Sequence, residues 1–301
     1  MASRTLPGGE WGVRDLNYGL KRLVFDNRNS GSHSTRAARQ HILQQAANTL
    51  HDLGYRKLKP EGFKPKHVDA LVGYWQSQGL SAGTVKNRLS HLRWWAKMIG
   101  KPAIIARDND HYQVARRVYV TGEDKARDLD ARRLNNVSDP YTRMSLRLQL
   151  AFGLRREEAI KFSPHFADKG DNIVLKASWT KGGRARDIPV RTEQQRQLLD
   201  EVHRFAGRGA LIPANKNYVQ QLRTYERNTV KVGLNKNHGL RHGYAQARYA
   251  QLTGWPCPAA GGPERKHLTA AQRAIDTLAR QTLSRELGHA RLSIAAVYLG
   301  G

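Results

Sequence analysis

Apolar residues return at helical spacing along most of the chain. The clearest case is "SAGTVKNRLSHLRWWAKMIG" at 81–100, where Val85, Leu89, Leu92, Ala96 and Ile99 share one face at 100° per residue. Ser81 supplies a start signal, and Gly100-Lys101-Pro102 a stop. Two helices are predicted before it: "TRAARQHILQQAANTLHDLGY", from Thr35 to a stop at Gly54, and "HVDALVGYWQSQGL". Residues 1–34 read as an irregular arm ending in "NRNSGSHS". The pattern weakens over 101–130, and residues 111–130 suit an interdomain linker. Helical spacing resumes in "DARRLNNVSD" and "PYTRMSLRLQLAFGL". "DNIVLKASWTKGGRARDIPV" reads as a hairpin, two β-suited runs around Lys181-Gly182-Gly183. Helices return from about Asn217, interrupted by the Pro/Gly loop "TGWPCPAAGGPERK".

These elements predict a mainly α protein with a small antiparallel β-sheet, and a chain of 301 residues suits two domains. The division is an arm over 1–34, a helical domain over 35–110, a linker over 111–130 and a second domain over 131–301.

Charge narrows the function. The chain holds 51 Lys and Arg against 25 Asp and Glu, a net charge of +26. Residues 1–100 contribute +10 and the remainder +16, so the excess is not a basic tail. Such a chain repels itself unless a polyanion offsets the charge, and nucleic acid is the fitting polyanion. Lys86, Ser90, Arg93 and Lys97 line one flank of the 81–100 helix with no acid among them, a candidate phosphate-contacting stripe. Cys257 is the only cysteine, so neither an internal disulfide nor a cysteine-based zinc cluster is possible. No signal-peptide core and no run of 18 apolar residues is present, which points to a cytosolic, nucleoid-associated protein without a membrane partner.

Four stretches of the second half concentrate functional groups: "FGLRREEAIKF" with Arg155 and Glu158, the hairpin turn with Lys181, "HGLRHGYA" with His238 and Arg241 one helical turn apart, and "LGHARLSIAAVYLG" with His289 and Tyr298. Alone, each has an ordinary explanation: an internal ion pair, a solvated lysine, a chance HxxR, a packed tyrosine. Together and in this order they resemble the tyrosine recombinase (phage integrase) family. Its pattern is GLR-x-x-E, a lysine in a β-hairpin, HxLRH, then LGH with a tyrosine nine residues beyond its histidine. Here GLRREE spans 153–158, HGLRH 238–242 and LGH 287–289, and His289 to Tyr298 is nine.

The resemblance implies a two-domain DNA clamp: a helical SAM-like core-binding domain and a mixed α/β catalytic domain. It implies a site-specific DNA recombinase that cuts and rejoins DNA through a 3′-phosphotyrosyl intermediate to integrate or excise a mobile element. Tyr298 would be the nucleophile. Arg155 and Arg241 would fork onto the phosphate oxygens. Lys181 would be the general acid, His238 a base or proton shuttle, His289 a phosphate donor, and Glu158 would orient a cation or imidazole beside it. Neither metal nor cofactor is needed, since the arginines carry the charge work, and the chain has no HExxH, CxxC or GxxxxGK[ST]. The implied partners are duplex DNA with inverted half-sites, further copies of the chain (a tetramer), and DNA-bending accessory proteins. A type IB topoisomerase shares the chemistry, and a catalytically silent DNA-binding protein could share the fold. The LGH box, the helical arm and the unsubstituted catalytic positions favour the recombinase.

Two features depart from the family pattern. Residues 253–280 lie between Arg241 and His289 as an insertion, expected to be a surface loop plus a helix. After Tyr298 come only Leu299, Gly300 and Gly301, where relatives continue into an element that docks on a neighbouring protomer. Either the chain is shortened, or assembly uses the insertion or residues 1–34.

Overall fold

The structure, a computed structural model, describes residues 15–116, 118–289 and 291–301. The chain forms two units that divide between Val118 and Tyr119.

Among its described residues the first unit contains four α-helices: α1 (Asp15–Asp26), α2 (His33–Asp52), α3 (Pro65–Ser77) and α4 (Ala82–Met98). Ser32 caps α2 by accepting the Thr35 N–H, and Ser81 caps α4 by accepting that of Thr84. On α4 the expected face is inside: Val85, Leu89, Leu92 and Ala96 are buried, and Ile99 packs at their edge. Phe63 and Trp95 stack at the centre, with ring centroids 3.8 Å apart.

An irregular arm over 1–34 is not what the chain adopts where it is described, because Asp15–Asp26 is helical. Leu16, Leu20 and Val24 recur every four residues and bury one stripe among the helices. Gly19 lets α1 close onto Pro60, where a Cβ would stand 2.5 Å from the ring. Asn and Gly are weak helix formers, and they mask this period in the sequence. Residues 1–14 of the proposed arm lie outside the described residues.

The second unit begins with an extended segment and α5 (Ala131–Asn135), then α6 (Pro140–Phe152), α7 (Arg156–Ile160) and α8 (Pro164–Ala167). Strands β1 (Asn172–Leu175) and β2 (Arg186–Pro189) pair antiparallel, with Ile173 opposite Ile188 and Leu175 opposite Arg186. There follow α9 (Glu193–Ala206), α10 (Tyr218–Lys231), α11 (His238–Thr253), α12 (Ala270–Glu286) and α13 (Ala296–Leu299). Capping boxes start α9 (Thr192 with Gln195), α10 (Asn217 with Gln220) and α12 (Thr269 with Gln272).

Two expectations need correcting here. The segment 111–130 is not a free linker throughout. Tyr112 and Val114 are buried in the first unit, while the Arg127 N–H donates to Gly239 O in the second. The insertion over 253–280 holds the expected helix, since α12 begins at Ala270, but it is not confined to the surface. Cys257 is fully buried, and α12 sends Asp276, Ala279 and Leu283 inward against α11. Buried Asp276 accepts from Tyr249 at 2.7 Å and from Arg280 at 2.7 Å, and Arg280 also donates to Gly300 O at 3.0 Å. The insertion thus ties down the segment after Tyr298.

Candidate active site

The HGLRH and LGH boxes converge on Tyr298. Helix α11 presents His238, Arg241 and His242 on one face, because positions i, i+3 and i+4 align along a helix. Gly239 brings that helix start against Lys125 and Arg127, where a Cβ would stand 2.6 Å from Lys125 O. The Tyr298 hydroxyl accepts from Arg241 Nε at 3.3 Å and lies 3.3 Å from His238 Nε2. Although it is the fourth residue from the end of the sequence, Tyr298 is only 6% exposed. Its ring lies among three imidazoles, with centroids 4.5 Å away for His242, 5.1 Å for His289 and 5.9 Å for His238.

Arg241 is buried and fixed from several sides. One terminal nitrogen donates to Gly153 O, the other to Leu287 O, and the latter also lies 3.4 Å from His289 Nε2. Burial, reinforced by the Arg155 charge, lowers its pKa to about 10, so it stays cationic at neutral pH. Both carbonyls come from loops that follow helices. Gly153 ends α6 at φ 60°, and a Cβ there would stand 2.4 Å from the Tyr244 ring.

Glu158 lies between two guanidinium groups, those of Arg155 and Arg186. It is fully buried near the start of α7, accepting the Arg155 N–H at 2.7 Å and the Arg155 guanidinium at 2.9 Å. Arg186 forks onto the same carboxylate, 2.7 Å to each oxygen. Burial alone would raise the carboxyl pKa. The Arg186 hydrogen bonds and the surrounding guanidinium charges outweigh burial and hold it at about 2.

The histidines are neutral at pH 7. Burial, then the Arg241 and Arg155 charges, lower His238; the same causes bring His289 to about 3. Burial, then His238 and Lys125, bring His242 to about 4. Arginine can only donate, so His289 Nε2 accepts from Arg241 and the ring proton sits on Nδ1. That Nδ1 is buried and has no partner among the described residues.

The remaining candidates stand apart from this cluster. Lys181 is exposed in the β1–β2 loop and makes no hydrogen bond to another described residue, but its charge is felt at His238. In the first unit, Ser90 and Lys97 are exposed and Lys86 is half-buried. Arg93 is committed within its own unit, donating to Ala106 O at 2.8 Å and to Asn109 at 2.9 Å.

Three participants were not singled out in the sequence. Arg186 was legible in principle: β2 reads Arg-Asp-Ile-Pro, and period two puts Arg186 on the buried side with Ile188. His242 stands inside the HGLRH box itself. Glu286 had no local signal. It gathers Arg191, Tyr244 and Arg248, all distant in sequence.

A helical first unit, followed by a catalytic unit whose hairpin and helices gather these boxes, is the tyrosine recombinase fold. The phage integrase N-terminal profile matches residues 13–105 and the integrase profile residues 120–247. The chain belongs to the phage integrase family and is a site-specific tyrosine recombinase. The LGH box and Tyr298 lie beyond the matched stretch. Solved structures agree in fold. A lambda integrase dimer bound to a COC′ core site gives a TM-score of 0.61 at 14% identity, covering 94% of each chain. The Tn1549 transposon integrase with circular intermediate DNA gives 0.56 at 15%, covering 94% of this chain and 95% of that one. The XerH recombinase on a palindromic difH substrate gives 0.54 at 17%, covering 94% and 80%. No curated protein sequence matches the chain. Among the described residues no helix is long and apolar enough to cross a membrane.

Proposed function

We propose that the chain cleaves and rejoins duplex DNA through Tyr298, integrating or excising a mobile element. The observation that carries this reading is the Tyr298 hydroxyl 3.3 Å from both Arg241 Nε and His238 Nε2. Tyr298 Oη attacks the scissile phosphorus while its proton passes to neutral His238 Nε2. Arg155 and Arg241 direct their free N–H groups at the non-bridging oxygens of the five-coordinate transition state, and the His289 Nδ1–H adds a donor. The P–O5′ bond breaks, Lys181 protonates O5′, and the 3′ phosphate remains on tyrosine. A 5′ hydroxyl from another strand then gives its proton to Lys181 and attacks the phosphotyrosine, His238 returns its proton to the departing Tyr298 Oη, and DNA is resealed. Energy of the cut bond is retained, so no external source is required.

The substrate is duplex DNA with inverted half-sites, engaged by a homo-tetramer together with DNA-bending proteins at the bacterial nucleoid. The net charge of +26, and solved relatives described as dimers and tetramers on DNA, support this assembly. Lys86, Ser90 and Lys97 are the proposed phosphate contacts of α4, the Arg93 guanidinium being held by Ala106 O and Asn109.

The test is a pool of nicked duplexes of randomised sequence incubated with the full chain. Adducts that survive denaturant are recovered, and the bound DNA is sequenced. Enrichment of one site with the wild type, and none with Tyr298→Phe, is expected. An adduct that persists in Tyr298→Phe, or a pool that yields none, overturns the assignment.

A further inference from the structure

Arg186 occupies an unusual place. It forms the last register pair of the hairpin, opposite Leu175, so it stands at the root of the 176–185 loop that carries Lys181. Its side chain is buried, and its three nitrogens serve two distant parts of the chain. The terminal nitrogens fork onto Glu158, which also holds Arg155 through its backbone N–H and guanidinium. Nε donates to Glu286 O at 2.9 Å, three residues before His289. Gly288, at φ +63°, lies against its aliphatic stem, where a Cβ would stand 2.8 Å from Cδ. One guanidinium therefore meets the Arg155 box, the Lys181 hairpin and the approach to His289.

We infer that Arg186 is a positioning residue that sets the Lys181 loop against the Arg155 and His289 arms. It makes no contact with Tyr298 and acts through Glu158, the Glu286 carbonyl and its own strand. The fork is specific to arginine: lysine offers a point charge that cannot satisfy both carboxylate oxygens and a carbonyl in one plane. Burial adds to the demand, because removing Arg186 leaves a carboxylate in the interior with Arg155 as its remaining hydrogen-bonded guanidinium. This inference rests on Tyr298 chemistry as proposed above, with Lys181 as the proton donor to the leaving group.

The experiment uses the nicked oligonucleotide recovered from the randomised pool, made once with ordinary O5′ and once with sulfur at that bridging position. A thiolate leaves without a proton, so the second substrate bypasses Lys181. Arg186→Met is expected to slow adduct formation about 10²-fold on ordinary DNA, and by less than about 10-fold on the sulfur substrate. Arg186→Lys should fall between wild type and Arg186→Met, and Lys181→Ala should show the same rescue. An equal loss on both substrates, or no loss, overturns the inference. Hydrogen exchange gives a readout independent of turnover, in Arg186→Met and in Glu158→Gln/Arg186→Met, where the buried charges are removed as a pair. Faster exchange over 176–185 and 287–289, with α9 unchanged, is expected in both; unchanged exchange in those segments counts against it. If Arg186→Met fails to fold, Arg186→Lys and the double variant decide. A wild type that forms no adduct fails the Tyr298 reading itself; adduct in the wild type without these Arg186 effects fails this inference alone.

Discussion

Around Tyr298, neutral imidazoles sit beside guanidinium groups that stay charged, and this division depends on pH. Unfolded, His242 and His289 take up protons near 6.5; folded, they do so only near 4 and 3. Between those values the unfolded chain binds more protons, so stability is full above about 6.5 and declines as pH falls through the window. Glu158 acts in the same direction at lower pH, with a folded value of about 2 against 4.5 unfolded. Thermal unfolding from pH 7 to 4 should show a falling midpoint, and His289→Asn should flatten that fall. A midpoint level across the range would refute the account. Arg155, Glu158, His238, Arg241, His289 and Tyr298 could be picked out as candidates because box order and spacing are local in sequence. Glu286 could not, since its partners Arg191, Tyr244 and Arg248 assemble only when β2, α11 and α12 pack.

At the scale of elements, caps and periods account for most of what could be read beforehand. Ser81, Gly100 and the buried stripe of α4 were legible, and so was the hairpin around Lys181. Helix α1 escaped because its four-residue period runs through Asn17 and Gly19, whose side chains argue locally against a helix. The inward face of α12 escaped because its partner α11 lies across a Pro/Gly loop. Gly153 shows how an element boundary serves the site: it ends α6 in a left-handed turn, clears the Tyr244 ring and offers its carbonyl to Arg241. Gly153→Ala meets both the φ constraint and the ring, and should lose about 2–4 kcal/mol. Urea unfolding measures this directly, and a loss under about 0.5 kcal/mol would mean that α6 ends elsewhere without cost.

For the molecule as a whole, two units and a distributed positive charge were readable from composition and pattern, whereas the packing of the insertion was not. Asp276 and Arg280 hold Gly300, two residues beyond Tyr298, so the tail is anchored by the chain that carries it. The hydroxyl, the arginine it meets and the histidine beside it also belong to one polypeptide. If Tyr298 acts as proposed, subunits built this way would not lend one another their tyrosine. Mixing Tyr298→Phe with Arg241→Ala protein should therefore restore no adduct, because every subunit in the mixture lacks one half of its own pair. Adduct above that of either variant alone would show that the pair can be divided between subunits. If Tyr298 acts as proposed, identical chains meeting on DNA would each arrive with a complete hydroxyl, arginine and histidine of their own.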